Sequence, residues 1–437
     1  MAVPVQYRIS GGGAEAIAAS VEEGIAAGAL APGAALPAIR ELAQQLGVNP
    51  NTVAAAYRLL RDRGAVESAG RRGTRVRDRP ATTPRSLRGL AVPPGVRDLS
   101  TGNPNPALLP AISVAPGPVV LYGDPPITPA LAELAAAELA ADGVPADHLA
   151  ATSGALDGIE RVLAAHLRPG DRVAVEDPGW PNLIDLLAAL GLVPEPVGVD
   201  DDGPLPADLA RALGRGVRAV VVTSRAQNPT GAAVSADRAD DLRALLDGSD
   251  VLLIEDDHCA AIAGVPLHTL AGVSRHWAFI RSAAKAYGPD LRLAVLAGDQ
   301  RTVERVAGRL RLGPGWVSHL LQNLTVGLWR DPAVARQVAD AESAYGAARA
   351  GLCAALAARD VVAHGRSGLN VWVPVPDEAV AMTALFAAGW AAAPGARFRI
   401  RCAPGLRVTI AELAPADIDP LADAVAAAVR GPGRSSV

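Results

Sequence analysis

Residues 280–292 read IRSAAKAYGPDLR, and Lys285 within them is the lone lysine of a 437-residue chain. Lysine and arginine together number 41, so arginine supplies 40 of them. Lysine is ordinarily among the commonest residues, so the sequence has drifted to arginine everywhere but here. A guanidinium replaces an ammonium as a surface charge, yet it does not deprotonate in a protein and forms no imine with an aldehyde. Lys285 is therefore a candidate Schiff-base residue. A lysine kept for one ion pair is the competing reading, and the neighbours decide between the two. Ser282 stands three residues before it and Arg292 seven after, a hydroxyl and a guanidinium suited to an anionic group.

Around this stretch the chain alternates strand-like and helix-like segments, as an α/β domain does. DRVAVED, VRAVVVTS, DVLLIEDD, HWAFIRS and RLAVLAGD are apolar runs that end in polar residues, the character of buried parallel strands whose C-terminal ends bind ligands. Between them lie amphipathic stretches such as 158–167, with Ile159, Val162, Leu163 and Leu167 on one face. Ser153, Gly154 and Ala155 open a helix whose free N–H groups suit a phosphate. Trp180 in EDPGW offers a broad face for stacking, and Asn228 in NPTG turns just after a strand with an amide free to donate. Asp256, at the end of another run, is a carboxylate placed to keep a pyridine nitrogen protonated.

Each of these signals is weak alone, and their order is what counts. Ser-Gly-Ala, Pro-Gly-Trp, Asn-Pro-Thr-Gly, Glu-Asp-Asp and Ser-x-x-Lys follow one another as in class I and II aminotransferases of fold type I, which the chain resembles over residues 98–430. The resemblance implies pyridoxal 5'-phosphate (PLP) as cofactor. Lys285 would carry it as a Schiff base, with Ser153, Gly154, Ala155, Ser282 and Arg292 at the phosphate and Trp180, Asn228, Asp256 and His258 about the ring. It also places Arg407, in GLRVTIAEL, on an effector carboxylate, and Tyr122, in VLYGDP, on the phosphate of a partner subunit. Two positions depart from the pattern. His258 stands where tyrosine is common after the Asp pair, and Pro126-Ile127 replaces a usual glycine near the substrate mouth.

The first eighty residues have a different character. Ile39, Leu42, Ala43 and Leu46 recur at helical spacing before Gly47; after a short turn, Asn51 is placed to cap a second helix carrying Val53, Ala56, Tyr57 and Leu60. An earlier helix with Ala16, Ile17, Val21 and Ile25 inward would complete the core. Two short strands follow Gly64 around a basic tip. This helix-turn-helix with a wing resembles the GntR type, and LPAIRELAQQLGVNPNTVAAAYRLLRDRGAVESAGRRGTRV follows that pattern nearly throughout. By position, Arg40, Asn51, Thr52 and Arg58 would face DNA, with Arg72 and Gly73 at the wing tip. Pro50 replaces the usual arginine at the start of the recognition helix and offers no base contact.

Net charge is −4, but residues 1–80 hold ten Arg against seven Asp and Glu, or +3, leaving −7 for the rest. Arg71, Arg72, Arg75, Arg77 and Arg79 concentrate the excess, a surface for phosphates. No apolar run reaches the length of a membrane span, no signal pattern opens the chain, and Cys259, Cys353 and Cys402 are spaced for neither disulfides nor zinc. A cytoplasmic location without metal is expected. The domains read as a winged helix-turn-helix over 1–79, a linker rich in Pro, Thr and Arg over 80–97, and an aminotransferase-like effector-binding and dimerisation body over 98–437. That combination resembles the MocR family of transcriptional regulators. It implies a head-to-tail homodimer that binds operator DNA and senses an amine or amino acid by aldimine exchange on PLP. A working aminotransferase with a DNA-binding module, and a PLP-sensing regulator of vitamin B6 synthesis, remain as alternatives.

Overall fold

The computed structural model describes residues 7–26, 29–31, 33–62, 65–68, 73–76, 92–112 and 120–430. Arg71, Arg72, Arg77, Arg79, most of the expected linker and the last seven residues lie outside the described residues. The chain divides into a small unit built on residues 1–84 and a large one that holds most of the remainder.

In the small unit, helices Ala14–Ala26, Ile39–Leu46 and Pro50–Asp62 are followed by antiparallel strands Val66–Ser68 and Thr74–Val76. Ile17, Val21, Leu42, Val53, Ala56, Tyr57 and Leu60 are buried together with Val66 and Val76 from the strands. The expected inward face of the first helix needs one correction: Ala16 is exposed and Ala18 is buried, because the buried stripe runs through Ile17, Ala18 and Val21. Ile39 is likewise 37% exposed. Gly47 ends the second helix in the left-handed region at φ 65°, which a side chain would resist. The expected cap also moves. The third helix starts at Pro50, and Oδ1 of Asn49 accepts the Asn51 N–H at 2.8 Å, so Asn49 and not Asn51 is the capping side chain. Proline at the first helical position lacks only an N–H that would have no helical partner.

The large unit is built on an eight-stranded sheet. Its order is Leu149–Thr152, Ala294–Gly298, Trp277–Ser282, Leu252–Asp257, Ala219–Thr223, Arg172–Asp177, Val193–Asp200 and Gly203–Pro204. The four strands from Trp277–Ser282 to Arg172–Asp177 run parallel, each with an apolar run buried on both faces. Strand Ala294–Gly298 is the exception among the five apolar runs, since it pairs antiparallel with both neighbours. Helix Ala155–His166 buries Ile159, Val162 and Leu163 against the sheet side of the unit. A second, three-stranded sheet, Asn370–Pro374, Gly405–Thr409 and Ala393–Pro394, packs with helices Pro332–Ala357, Glu378–Ala387 and Ile418–Arg430. Arg97 and Asp98 pair with Trp390 and Ala391, so regular structure is under way at Arg97.

Candidate cofactor pocket and DNA-binding face

The polar ends of the parallel strands surround a cavity of about 270 Å³ in the large unit. Ala155, Trp180, Asn228, His258, Ser282, Lys285 and Arg292 line it, which brings together seven residues that lie up to 137 positions apart. Each arrives from a strand end. Ser282 closes strand Trp277–Ser282, and Lys285 follows on the short helix Ala284–Tyr287. Asp256 is the penultimate residue of its strand, with His258 just beyond.

Lys285 is partly buried, and its Nζ donates to the Gly102 carbonyl at 2.5 Å. Burial lowers its pKa from the ordinary lysine range; Cys259 opposes this and the Arg407 charge adds to it. A depressed amine is a better nucleophile at neutral pH. At the other end, Arg292 Nη2 donates to the Ser153 carbonyl at 3.1 Å. Gly154 has φ 96°, and a Cβ there would stand 2.7 Å from Arg292 Nη2. Ser153 N–H is bonded to Asp157 Oδ2 at 2.9 Å, and Ser282 Oγ accepts from Ala284 N–H at 3.2 Å. Ser282 and Arg292 line this end of the cavity, and Arg292 lies against Gly154 beside the N-terminus of helix Ala155–His166, whereas Ser153 meets its neighbours here through backbone groups.

Asp256 is buried, and its Oδ1 has no hydrogen-bond partner among the described residues. Its Oδ2 lies 3.2 Å from His258 Nδ1, in contact but misaligned for a hydrogen bond. Burial disfavours charge on His258, yet Cys259 and Asp256 outweigh it and raise its pKa well above the ordinary histidine value. Trp180 and His258 are nearly parallel, 20° apart with centroids 6.4 Å apart.

Arg407 sits behind this wall, on strand Gly405–Thr409. Its Nη1 donates to Asn228 Oδ1 at 3.0 Å and its Nη2 to the Ser100 carbonyl at 2.6 Å, while Nε has no partner among the described residues. Burial, with Arg397 beside it and Asp98 opposing, pushes its pKa down to about 9. A buried cation without a carboxylate partner attracts one. Tyr122 is not brought to the cavity of this chain: it is 95% exposed and meets Trp316 edge to face.

Several residues beyond those expected from the sequence also shape this site. Asn182 lines the cavity with a buried, unpartnered Oδ1, and Asn103 lines it from the stretch where Gly102 receives Lys285. Glu176, in the EDPGW segment, accepts from Thr223 N–H at 2.8 Å and Gln227 Nε2 at 3.1 Å, and Gln227 also donates to the Pro178 carbonyl at 2.8 Å. This brace ties the Trp180 segment to the Asn228 segment.

In the small unit, Arg40, Asn51 and Arg58 are exposed and Thr52 half-buried, on and beside the recognition helix. Gly73 is exposed at φ 79°, and Arg72 lies outside the described residues. Arg75, one of the clustered arginines, donates to the Gly33 carbonyl at 2.8 Å and so braces the wing.

The model of bacterial regulatory proteins, gntR family, matches residues 13–76, and that of aminotransferase class I and II matches residues 97–425. The vitamin B6 salvage pathway transcriptional repressor PtsJ of Salmonella typhimurium is 41% identical over 425 residues, covering 95% of this chain and 98% of that protein. The chain belongs to the MocR family. This MocR protein is also similar to the pyridoxine biosynthesis regulator PdxR of Corynebacterium glutamicum, 31% identical over 57% of this chain and 58% of that protein. LysN, the α-aminoadipate aminotransferase of Thermus thermophilus solved with N-(5'-phosphopyridoxyl)-L-leucine, shares the fold of the MocR body. The TM-score is 0.65 at 18% identity, over 77% of this chain and 92% of that one. The chain is thus a helix-turn-helix transcriptional regulator with an aminotransferase-type body. No helix among the described residues is long and apolar enough to cross a membrane.

Proposed function

We propose that this regulator holds PLP on Lys285 and converts the state of that cofactor into a change in operator binding by its winged helices. The observation that carries the reading is the pairing, across one cavity, of a pKa-lowered lysine with an anion cradle at Gly154 and Arg292. The fit extends to the ring, since Asp256 keeps a buried carboxylate oxygen free of partners among the described residues. PLP supplies an aldehyde that condenses reversibly with amines and a pyridine ring that draws electrons. Lys285 binds and releases at that aldehyde, Asp256 holds a proton on the ring nitrogen, and Asn228 and Trp180 fix the ring's orientation. Arg407, behind Asn228, binds the carboxylate of an incoming amino acid.

Two copies of the chain are needed for tight DNA binding, because one winged helix makes few phosphate contacts. Leu121, Tyr122, Leu312 and Leu320 are exposed, with Tyr122 against Trp316, and such exposed apolar side chains suit contact with a second copy arranged head to tail.

A second reading, in which PLP itself is the signal, draws support from the similarity to PtsJ, a repressor of the vitamin B6 salvage pathway, and PdxR, a regulator of pyridoxine biosynthesis. One titration separates the readings. Binding to a DNA fragment from upstream of its own gene is measured for the cofactor-free protein, the PLP-loaded protein, and the loaded protein with a panel of amines and amino acids. A change only on adding an amine supports exchange sensing, and a change on adding PLP supports the second reading. Stoichiometric pyridoxamine phosphate and keto acid would instead make the body a working enzyme.

A further inference from the structure

Asp256 and Asp257 are adjacent on strand Leu252–Asp257, and successive strand residues point to opposite faces of a sheet. Asp256 meets His258, whereas Asp257 turns to the other face, where its side chain is wholly buried. Two guanidiniums meet it there. Arg225 donates from Nε to Oδ1 at 3.0 Å and from Nη2 to Oδ2 at 2.8 Å, the paired geometry of a bidentate clamp. Arg281 donates from Nε to Oδ2 at 3.0 Å, and its Nη2 reaches Asp142 Oδ2 at 2.5 Å. Arg225 Nη2 lies 3.7 Å from the same Asp142 oxygen. Two cations and two carboxylates balance one another, and among them Asp142 alone is partly exposed.

Each buried member is tied by a short length of chain to the cofactor cavity. Arg225 stands three residues before Asn228, Asp257 lies between Asp256 and His258, and Arg281 stands four residues before Lys285. These segments leave neighbouring strands, since Ala219–Thr223 and Trp277–Ser282 flank Leu252–Asp257. Apolar side chains of similar volume are often as stable as a buried ion network, so stability alone does not account for these charges. A bidentate pair adds a fixed distance and angle between the segments it joins.

We propose that Asp257 is a positioning residue for the cofactor site: by gripping Arg225 and Arg281 it sets the spacing of three strand ends and keeps both guanidiniums on the face away from Asp256. The inference rests on the PLP reading above and deepens it. Asn228, Asp256 and Lys285 must meet different atoms of one rigid ring, so a shift of one strand end against the next loosens all three contacts. Charge follows the same division. The cluster is formally neutral, and Asp256, one residue away, meets no guanidinium among the described residues.

The test uses the full-length protein. Borohydride fixation of PLP on wild type, read by peptide mass, first establishes whether Lys285 carries the cofactor. Arg225→Met, Asp257→Leu and Arg281→Met are then combined, which removes the ion network and refills its volume. This variant should melt close to or above the wild-type temperature, yet bind PLP about tenfold more weakly. Asp257→Asn keeps the shape and leaves the cluster one positive charge in excess. That charge disfavours a proton on the ring nitrogen, so with ring-¹⁵N-labelled PLP the nitrogen resonance should move away from the protonated position. If Asp257→Asn does not fold by circular dichroism, Asp142→Asn at the partly exposed end adds the same charge and should move the resonance in the same direction. If the apolar variant does not fold, the ¹⁵N comparison decides alone. A stable apolar variant that binds PLP as wild type does would make the network core filling and overturn the proposal, as would an unchanged ¹⁵N resonance. Absence of a Lys285 adduct in wild type would overturn the functional reading and this inference with it; an adduct with either unchanged readout would overturn this inference alone.

Discussion

At Gly154 a single methyl group is enough to disturb the Arg292 end of the pocket. Its φ of 96° and the 2.7 Å approach of Arg292 both exclude a side chain. Gly154→Ala should cost about 1–3 kcal/mol in urea unfolding and weaken PLP binding more than tenfold as Arg292 is displaced. Unchanged affinity would remove Arg292 from the cradle. Glu176 makes a pH prediction. Burial pushes its pKa up to about 7 despite hydrogen bonds from Thr223 and Gln227. The folded state therefore keeps a proton that the unfolded state releases near the ordinary glutamate value, and stability declines as pH rises from about 4.5 to 7 and then levels. Glu176→Gln should remove that contribution, flattening the slope by roughly 3 kcal/mol across this window. A slope equal to wild type would mean that Glu176 is ionised throughout. Lys285, Asp256 and Asn228 stand out in the sequence as candidates because few residue types perform such chemistry, and the fold brings Lys285 and Asn228 to one cavity. Glu176 and Gln227 do not, because their importance comes from a bond across 51 positions that no local pattern records.

Among the elements, helices and strands emerged from the sequence more readily than their ends and directions. Burial periodicity marked the recognition helix, but a cap depends on which side chain lies one residue outside the turn. Asn49 and Asn51 both qualify on composition, and Pro50 between them settles the matter for Asn49. Asn49→Ala should lower the stability of the DNA-binding unit by about 1 kcal/mol, visible in thermal unfolding, whereas Asn51→Ala should alter DNA binding with little effect on stability. Strand direction was hidden for a similar reason. RLAVLAGD is as apolar as its neighbours, and an apolar run buried on both faces is indifferent to whether it pairs parallel or antiparallel. Arg40→Ala and Arg58→Ala, on exposed positions of the helix-turn-helix, should each reduce the slope of log affinity against log salt by about one. An unchanged slope in a shift assay would place those guanidinium groups away from phosphate.

For the whole molecule, the proposed cofactor sensing and DNA binding would be coupled through a second copy of the chain. Leu312 is 91% exposed, four residues before Trp316 in the chain. Leu312→Glu should shift the sedimentation mass toward the monomer and lower operator affinity at least tenfold, while leaving PLP absorbance intact. A dimer of unchanged stability would put the interface elsewhere. Both proposed roles meet at Lys285. Wild-type protein incubated with PLP, reduced with borohydride, digested and analysed by mass should yield one phosphopyridoxyl peptide, on Lys285, and Lys285→Arg should yield none. A folded wild-type protein with no adduct on Lys285 would contradict the claim that this regulator senses through a lysine-bound cofactor.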